Sequence, residues 1–78
     1  MSPNELREVN RTVPFEPFRI VLSDGNHFDV KHPEFLFVGA RTSYIGLPDN
    51  EQPEFFGRTI RIDNLHITSV IPLSHINA

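Results

Sequence analysis

His32, Pro33 and Glu34 place an imidazole and a carboxylate on either side of a proline. Zinc sites and general acid/base centres both draw on that pair of groups. Just before them, His27 and Asp29 alternate onto one face of an extended run and offer a cation two more donors. Two ligands make no site without a third, however. A proline between His32 and Glu34 also holds the two side chains in diverging directions, which suits a corner better than a chelate. The stretch VKHPEF therefore reads as a strand-to-strand corner: Val30 and His32 finish an inward-facing strand, Pro33 ends its hydrogen-bond ladder, and Glu34 begins the bend. His66 and His75 stand apart on later segments and read as surface or hydrogen-bonded histidines. The chain contains no glycine-rich phosphate loop, nucleophile elbow or recognisable pair of catalytic carboxylates. No catalytic residue, metal site or cofactor is expected, and a non-enzymatic protein is the reading; a hydrolase built on His32 and Glu34 is the weakest alternative.

Two other groups of residues bear on binding. Phe55 and Phe56 are adjacent in an acidic loop, PDNEQPEFFG, and two neighbouring rings in an extended segment cannot both point inward. Either one ring is exposed as an interface anchor, or the loop folds back and tucks a ring over the core. Arg19, Arg41, Arg58 and Arg61 fall on or beside strands, where a local basic patch is the footprint of a nucleic-acid site. The overall balance opposes it: ten acidic residues stand against seven basic ones, for a net charge of −3. Non-specific nucleic-acid binding needs clustered positive charge to release counterions.

These side chains must be held by a small scaffold. Seventy-eight residues make one domain, residues 1–78. A chain of that size buries only about 60–65% of the surface its unfolded form exposes. With no cysteine, neither a disulfide nor a thiolate zinc site can staple it, so stability must come from a packed core or self-association. Seven phenylalanines supply the bulk. No apolar run approaches the roughly 20 residues that span a bilayer, and MSPNELREVNR lacks a signal peptide's apolar segment. No membrane association and a cytoplasmic location are the expectations.

The order of elements follows from periodicity. Ser2 as cap, Pro3 at the first turn and Glu5 completing a capping box predict a helix over residues 3–11, with Leu6, Val9 and Val13 as its apolar stripe. From Phe18 the period is two: Phe18, Ile20 and Leu22 share one face, as do Phe28, Val30 and His32. Asp24-Gly25 lies between them. A three-residue loop, 23–25, pairs Ile20 with Phe28 and Phe18 with Val30, and puts glycine where a left-handed residue belongs. FLFVGARTSYIGL reads as two short strands or one bent strand, broken at Gly39-Ala40. Residues 48–57 are loop. A two-residue turn at Asp63-Asn64 then pairs Ile62 with Leu65 and Ile60 with Ile67. The alternation breaks at Thr68-Ser69, where a turn of 3₁₀ helix fits, and Pro72 confines the last segment to a sheet edge or strand end. The expected fold is mainly β: a small SH3-like or Sm-like antiparallel barrel of five or six strands, with a short N-terminal helix across one end.

VPFEPFRIVLSDGNHF and LHITSVIP resemble the beginning and end of the Sm-like fold, in particular its Hfq-type RNA chaperones. That resemblance implies a ring oligomer and places His66 where those proteins keep a histidine facing uridine-rich RNA; Leu65 stands where they have lysine. Residues 17–35 also resemble a set of small bacterial proteins with the pattern PFxIxLxDGxxFxVxHPEF, to which no activity attaches. Two functions compete. The first is a binding or assembly module, a homo-oligomer or a protein-binding unit, using strand edges and the loop with Phe55 and Phe56. The alternative is a Sm-like RNA-binding ring with Arg41, Arg58, Arg61 and His66 near the nucleic acid. Charge favours the first.

Overall fold

The computed structural model describes residues 1–76. It contains one α-helix, α1 (Pro3–Asn10), and six strands: β1 (Phe18–Leu22), β2 (His27–Val30), β3 (Leu36–Val38), β4 (Thr42–Pro48), β5 (Phe56–Asp63) and β6 (Ile67–Pro72). The strands form two three-stranded antiparallel sheets, ordered β2-β1-β6 and β3-β4-β5. Neither sheet closes on itself. The inner faces share one core in which Leu6, Phe18, Ile20, Val30, Ile45 and Ile67 are all buried. No helix is long and apolar enough to cross a membrane, among the described residues.

The helix starts as its sequence dictates. The Ser2 hydroxyl accepts from the Glu5 amide at 3.2 Å, and Glu5 Oε1 accepts from the Ser2 amide at 3.4 Å. Leu6 enters the core and Val9 packs against it. Val13, expected on the same stripe, lies beyond the last helical turn and is fully exposed. Asn10 Nδ2 donates to the Pro33 carbonyl at 3.1 Å, which ties the end of the helix to the VKHPEF corner.

The first hairpin has the expected register, Ile20 opposite Phe28 and Phe18 opposite Val30. Gly25 has φ +90°, its amide donating to the Leu22 carbonyl at 3.0 Å, while the Leu22 amide donates to the Asn26 carbonyl at 2.8 Å. That closes the three-residue loop, a conformation that suits glycine because it lacks Cβ.

Two turns of 3₁₀ helix carry the chain between the sheets. Pro33–Phe35 forms the first, and the Phe35 amide donates to the His32 carbonyl at 3.1 Å. The corner is where the sequence put it, but His32 is exposed rather than inward, because β2 ends at Val30. The second crossing, Asn64–His66, overturns the expected β5–β6 hairpin. β6 pairs with β1, not β5, so Ile62 does not meet Leu65 and Ile60 does not meet Ile67 across a turn. The cause is Asn64. Its buried side chain accepts from Ser43 Oγ at 2.6 Å and donates to the Gly39 carbonyl at 2.8 Å, and its amide donates to the Arg41 carbonyl at 2.8 Å. The residue is held against the β3–β4 turn, Leu65 is thrown out to 84% exposure, and the chain leaves for the other sheet. No 3₁₀ turn forms at Thr68-Ser69. The broken alternation there is a shift in the β1–β6 register: Val21 faces Ser69 and Leu22 faces Ile67, leaving Thr68 as the extra residue of a bulge. Thr68 Oγ1 donates to the Val21 carbonyl at 3.1 Å.

Candidate interaction surface and cleft

Cross-strand pairing decides which side chains share the outer face of the second sheet. Phe37 faces Tyr44, and Tyr44 faces Arg61, so the three stand side by side. Two residues along β4, Gly46 contributes no side chain, and the Phe56 ring fills the space: a Cβ on Gly46 would lie 2.5 Å from that ring. Phe56 also meets buried Phe35 edge-on, with centroids 4.7 Å apart at 88°. Phe37 and Phe55 remain 60% exposed, Tyr44 and Phe56 43%. Phe56 thus folds back onto the outer face of the sheet, not over the core, while Phe55 projects. Phe37 and Tyr44 are the members sequence reasoning missed. The alternation Ser43-Tyr44-Ile45 is a signal for Tyr44, whereas the all-apolar run around Phe37 offers none.

The same sheet ends in an open edge. β5 is eight residues long and contains no proline, though Arg58, Arg61 and Asp63 charge it, and among the described residues it pairs with β4 alone. The other three edges are blunted in ways that discourage pairing. β3 has three residues, β2 has four and is followed by Lys31 and Pro33, and β6 terminates in Pro72.

The four residues of the RNA alternative are scattered. Arg41 sits at the β3–β4 turn beside Asn64, and Arg58 lies opposite Leu47 toward the far end of β5. Five residues of strand separate Arg58 from Asp63, about 17 Å. Arg61 joins the aromatic face. His66 is on the other side of the crossing, its Nδ1 3.3 Å from Ser23 Oγ and its carbonyl accepting from the Ser23 amide at 2.8 Å. It fastens the second crossing to the β1–β2 loop. Arg19 is committed as well: it grips Asp29 across β1 and β2 with Nε to Oδ1 at 2.8 Å and Nη2 to Oδ2 at 3.3 Å. That hydrogen-bonded guanidinium holds the Asp29 carboxyl below the usual carboxylate range, against the opposing effect of burial.

An open cleft of about 690 Å³ separates β2 and the VKHPEF corner from the end of β4 and the loop that follows it. His27, Phe28, Asp29, Lys31, His32 and Phe35 line it from β2 and the corner. Leu47, Pro48, Asp49, Asn50 and Pro53 line it from the end of β4 and the following loop. Glu34 is not part of it, so His32 lines the cleft without Glu34. No group of three or more histidine, aspartate or glutamate side chains is arranged to hold a metal ion among the described residues.

Comparison with protein-family models, with curated proteins and with solved structures finds no match to this chain.

Proposed function

We propose that this chain is a non-enzymatic binding and assembly module that associates with further copies of itself through the β5 edge and the aromatic face beside it. In this reading the two sheets are halves of one small SH3-like or Sm-like barrel, with α1 across one end. The observation that carries the proposal is the coincidence of features on one sheet: Phe37, Tyr44 and Phe56 half-exposed on its outer face, and a long, proline-free edge at its rim. Aromatics give large contact area at low entropic cost, and an open edge supplies backbone hydrogen bonds. The module would act in the cytoplasm.

Sedimentation velocity over a range of concentrations tests this. A dimer or larger species should appear by about 100 µM, the regime of modest interfaces. Tyr44→Glu should return it to monomer without lowering the melting temperature. A parent protein that stays monomeric at that concentration would refute self-association.

A second reading has one observation in its favour. Arg61 beside Tyr44 and Phe37 is the combination of cation and exposed rings on which single-stranded nucleic acid stacks. Against it stand the dispersion of Arg41, Arg58 and His66 and the acidic balance. Fluorescence anisotropy with labelled uridine-rich and adenine-rich strands separates the two. Affinity no tighter than about 10⁻⁵ M at physiological salt is the expected result. Sub-micromolar, salt-sensitive binding that Arg61→Ala or His66→Ala abolishes would establish the RNA reading instead.

A further inference from the structure

β5 offers a partner one long edge, and its charges decide how a second copy can use it. Gly57, Arg58, Thr59 and Arg61 are exposed, and among the described residues the strand pairs with β4 alone. The ladder with β4 is regular from Arg58 to Asp63. Beyond it Gly57 is the extra residue of a bulge, because Leu47 faces Arg58 and Pro48 faces Phe56. A bulge twists an edge away from pairing, so the usable stretch is residues 58–63. Thr59 and Arg61 share the outer face with Gly46 and Tyr44, while Arg58, Ile60 and Ile62 share the inner one with Leu47, Ile45 and Ser43.

Two copies related by a two-fold axis pair their β5 edges antiparallel, with like faces together. Directly opposed residues then come from the same face, which centres the axis on a residue. An axis at Thr59 keeps only residues 58–60 of the regular stretch paired, and one at Ile62 only 61–63. An axis at Arg61 pairs residues 59–63 but sets two guanidinium side chains directly opposite, about 4.5–5.5 Å apart at Cβ. An axis at Ile60 pairs residues 58–62. Ile60 then faces the partner's Ile60, Arg61 faces the partner's Thr59, and Ile62 faces the partner's Arg58. The two Arg61 residues stand on a diagonal, about 7–8 Å apart. Across both copies the outer face runs Phe37, Tyr44, Arg61, the partner's Thr59 and the partner's Gly46, over which the partner's Phe56 ring lies. Each Arg61 therefore stands between its own Tyr44 and that ring, and a guanidinium is attracted to an aromatic face.

We infer that two copies associate through an antiparallel β5–β5 pair whose two-fold axis lies at Ile60, joining their second sheets into one. This rests on the self-association proposed above and adds to it the partner's orientation and register. Disulfide trapping tests it, since the chain has no cysteine of its own. Thr59→Cys and Arg61→Cys both lie at exposed positions. In this register residue 59 of one copy is opposite residue 61 of the other, at a Cα separation of about 4.5–5.5 Å that a disulfide spans. The 59–59 and 61–61 pairs lie on diagonals of about 7–8 Å, beyond its reach. Mild oxidation of the two variants mixed in equal amounts should give a covalent dimer, and neither variant alone should. Isotope-filtered nuclear Overhauser spectra of labelled parent chain mixed with unlabelled parent chain read the register without substitution. Contacts of Ile60 with Ile60 and of Arg61 with Thr59 should cross the interface. A covalent dimer formed as readily by either variant alone would move the axis and overturn the inference. A parent dimer in sedimentation with neither the cross-link nor these contacts would overturn it and leave self-association standing. A parent that stays monomeric at about 100 µM would refute both.

Discussion

Asn64→Ala should be the most damaging polar substitution in the chain. The side chain is 3% exposed, and its two hydrogen bonds reach residues in a different part of the sheet, Ser43 Oγ at 2.6 Å and the Gly39 carbonyl at 2.8 Å. Each bond contributes a net 0.5–1.5 kcal/mol or so, and stranding the fully buried Ser43 hydroxyl costs about 1–3 kcal/mol more. The expected loss is about 3 kcal/mol. A domain of this length has roughly 4–12 kcal/mol in all. The melting temperature should fall by roughly 15 °C. Circular dichroism during thermal and urea unfolding reads the change directly. The double mutant is diagnostic: once Ser43 is alanine there is no hydroxyl to strand, so Ser43→Ala with Asn64→Ala should cost less than the sum by about 1 kcal/mol. A melting temperature for Asn64→Ala within about 3 °C of the parent would refute the reasoning, because the crossing would then not depend on its anchor. Strict additivity of the two substitutions would refute it too.

Three further outcomes are expected. Gly25→Ala should cost about 1 kcal/mol or more through backbone strain alone, since φ is +90° and no atom lies within 4 Å of the added methyl; urea unfolding measures it, and a neutral effect would remove the left-handed turn from the account. Asp29 has a folded pKa below its unfolded value of about 3.9, so its pair with Arg19 stabilises above that pH and is lost as pH falls through the folded pKa. Melting temperatures of parent and Asp29→Asn, compared from neutral pH to about pH 2, should converge at the acid end, and a constant difference would deny the shift. Gly46→Ala should force the Phe56 ring off the sheet and away from buried Phe35, so that self-association by sedimentation and the melting temperature both fall; an unchanged melting temperature would deny that the ring packs there.

What the sequence discloses here depends on how far apart the cooperating residues lie. The capping box of α1 and the 23–25 loop are local: Ser2 and Glu5 are three residues apart, and alternation leaves one consistent register for the first hairpin. The corner at Pro33 is equally local, because proline ends a ladder by itself. The second crossing is not local. Asn64 is followed by residues whose alternation fits a hairpin, and only partners 21 and 25 residues upstream, Ser43 and Gly39, pull it into a turn between sheets. Thr68 shows the same division. Its broken alternation is visible in the sequence, but the cause is pairing with β1, which makes the break a bulge rather than a helical turn.

The cleft follows the same division. His27 and His32 lie five residues apart, at the start of β2 and beyond its end, and both line it. Leu47, Pro48 and Asp49 join the lining from the end of β4 and the loop after it, far away in sequence. That arrival is governed by the β4–β5 register and by the Asp49 amide, which donates to the Phe55 carbonyl at 2.9 Å and closes the loop. The Asp49 carboxylate accepts from the Glu51 and Gln52 amides, each at 3.0 Å, and so shapes the same loop. Asp49→Ala removes the acceptor of both amides and should loosen the loop, lowering the melting temperature by a few degrees at most because the loop is largely exposed. A melting temperature well above the parent's would refute that role, because the carboxylate's negative charge would then outweigh its hydrogen bonds.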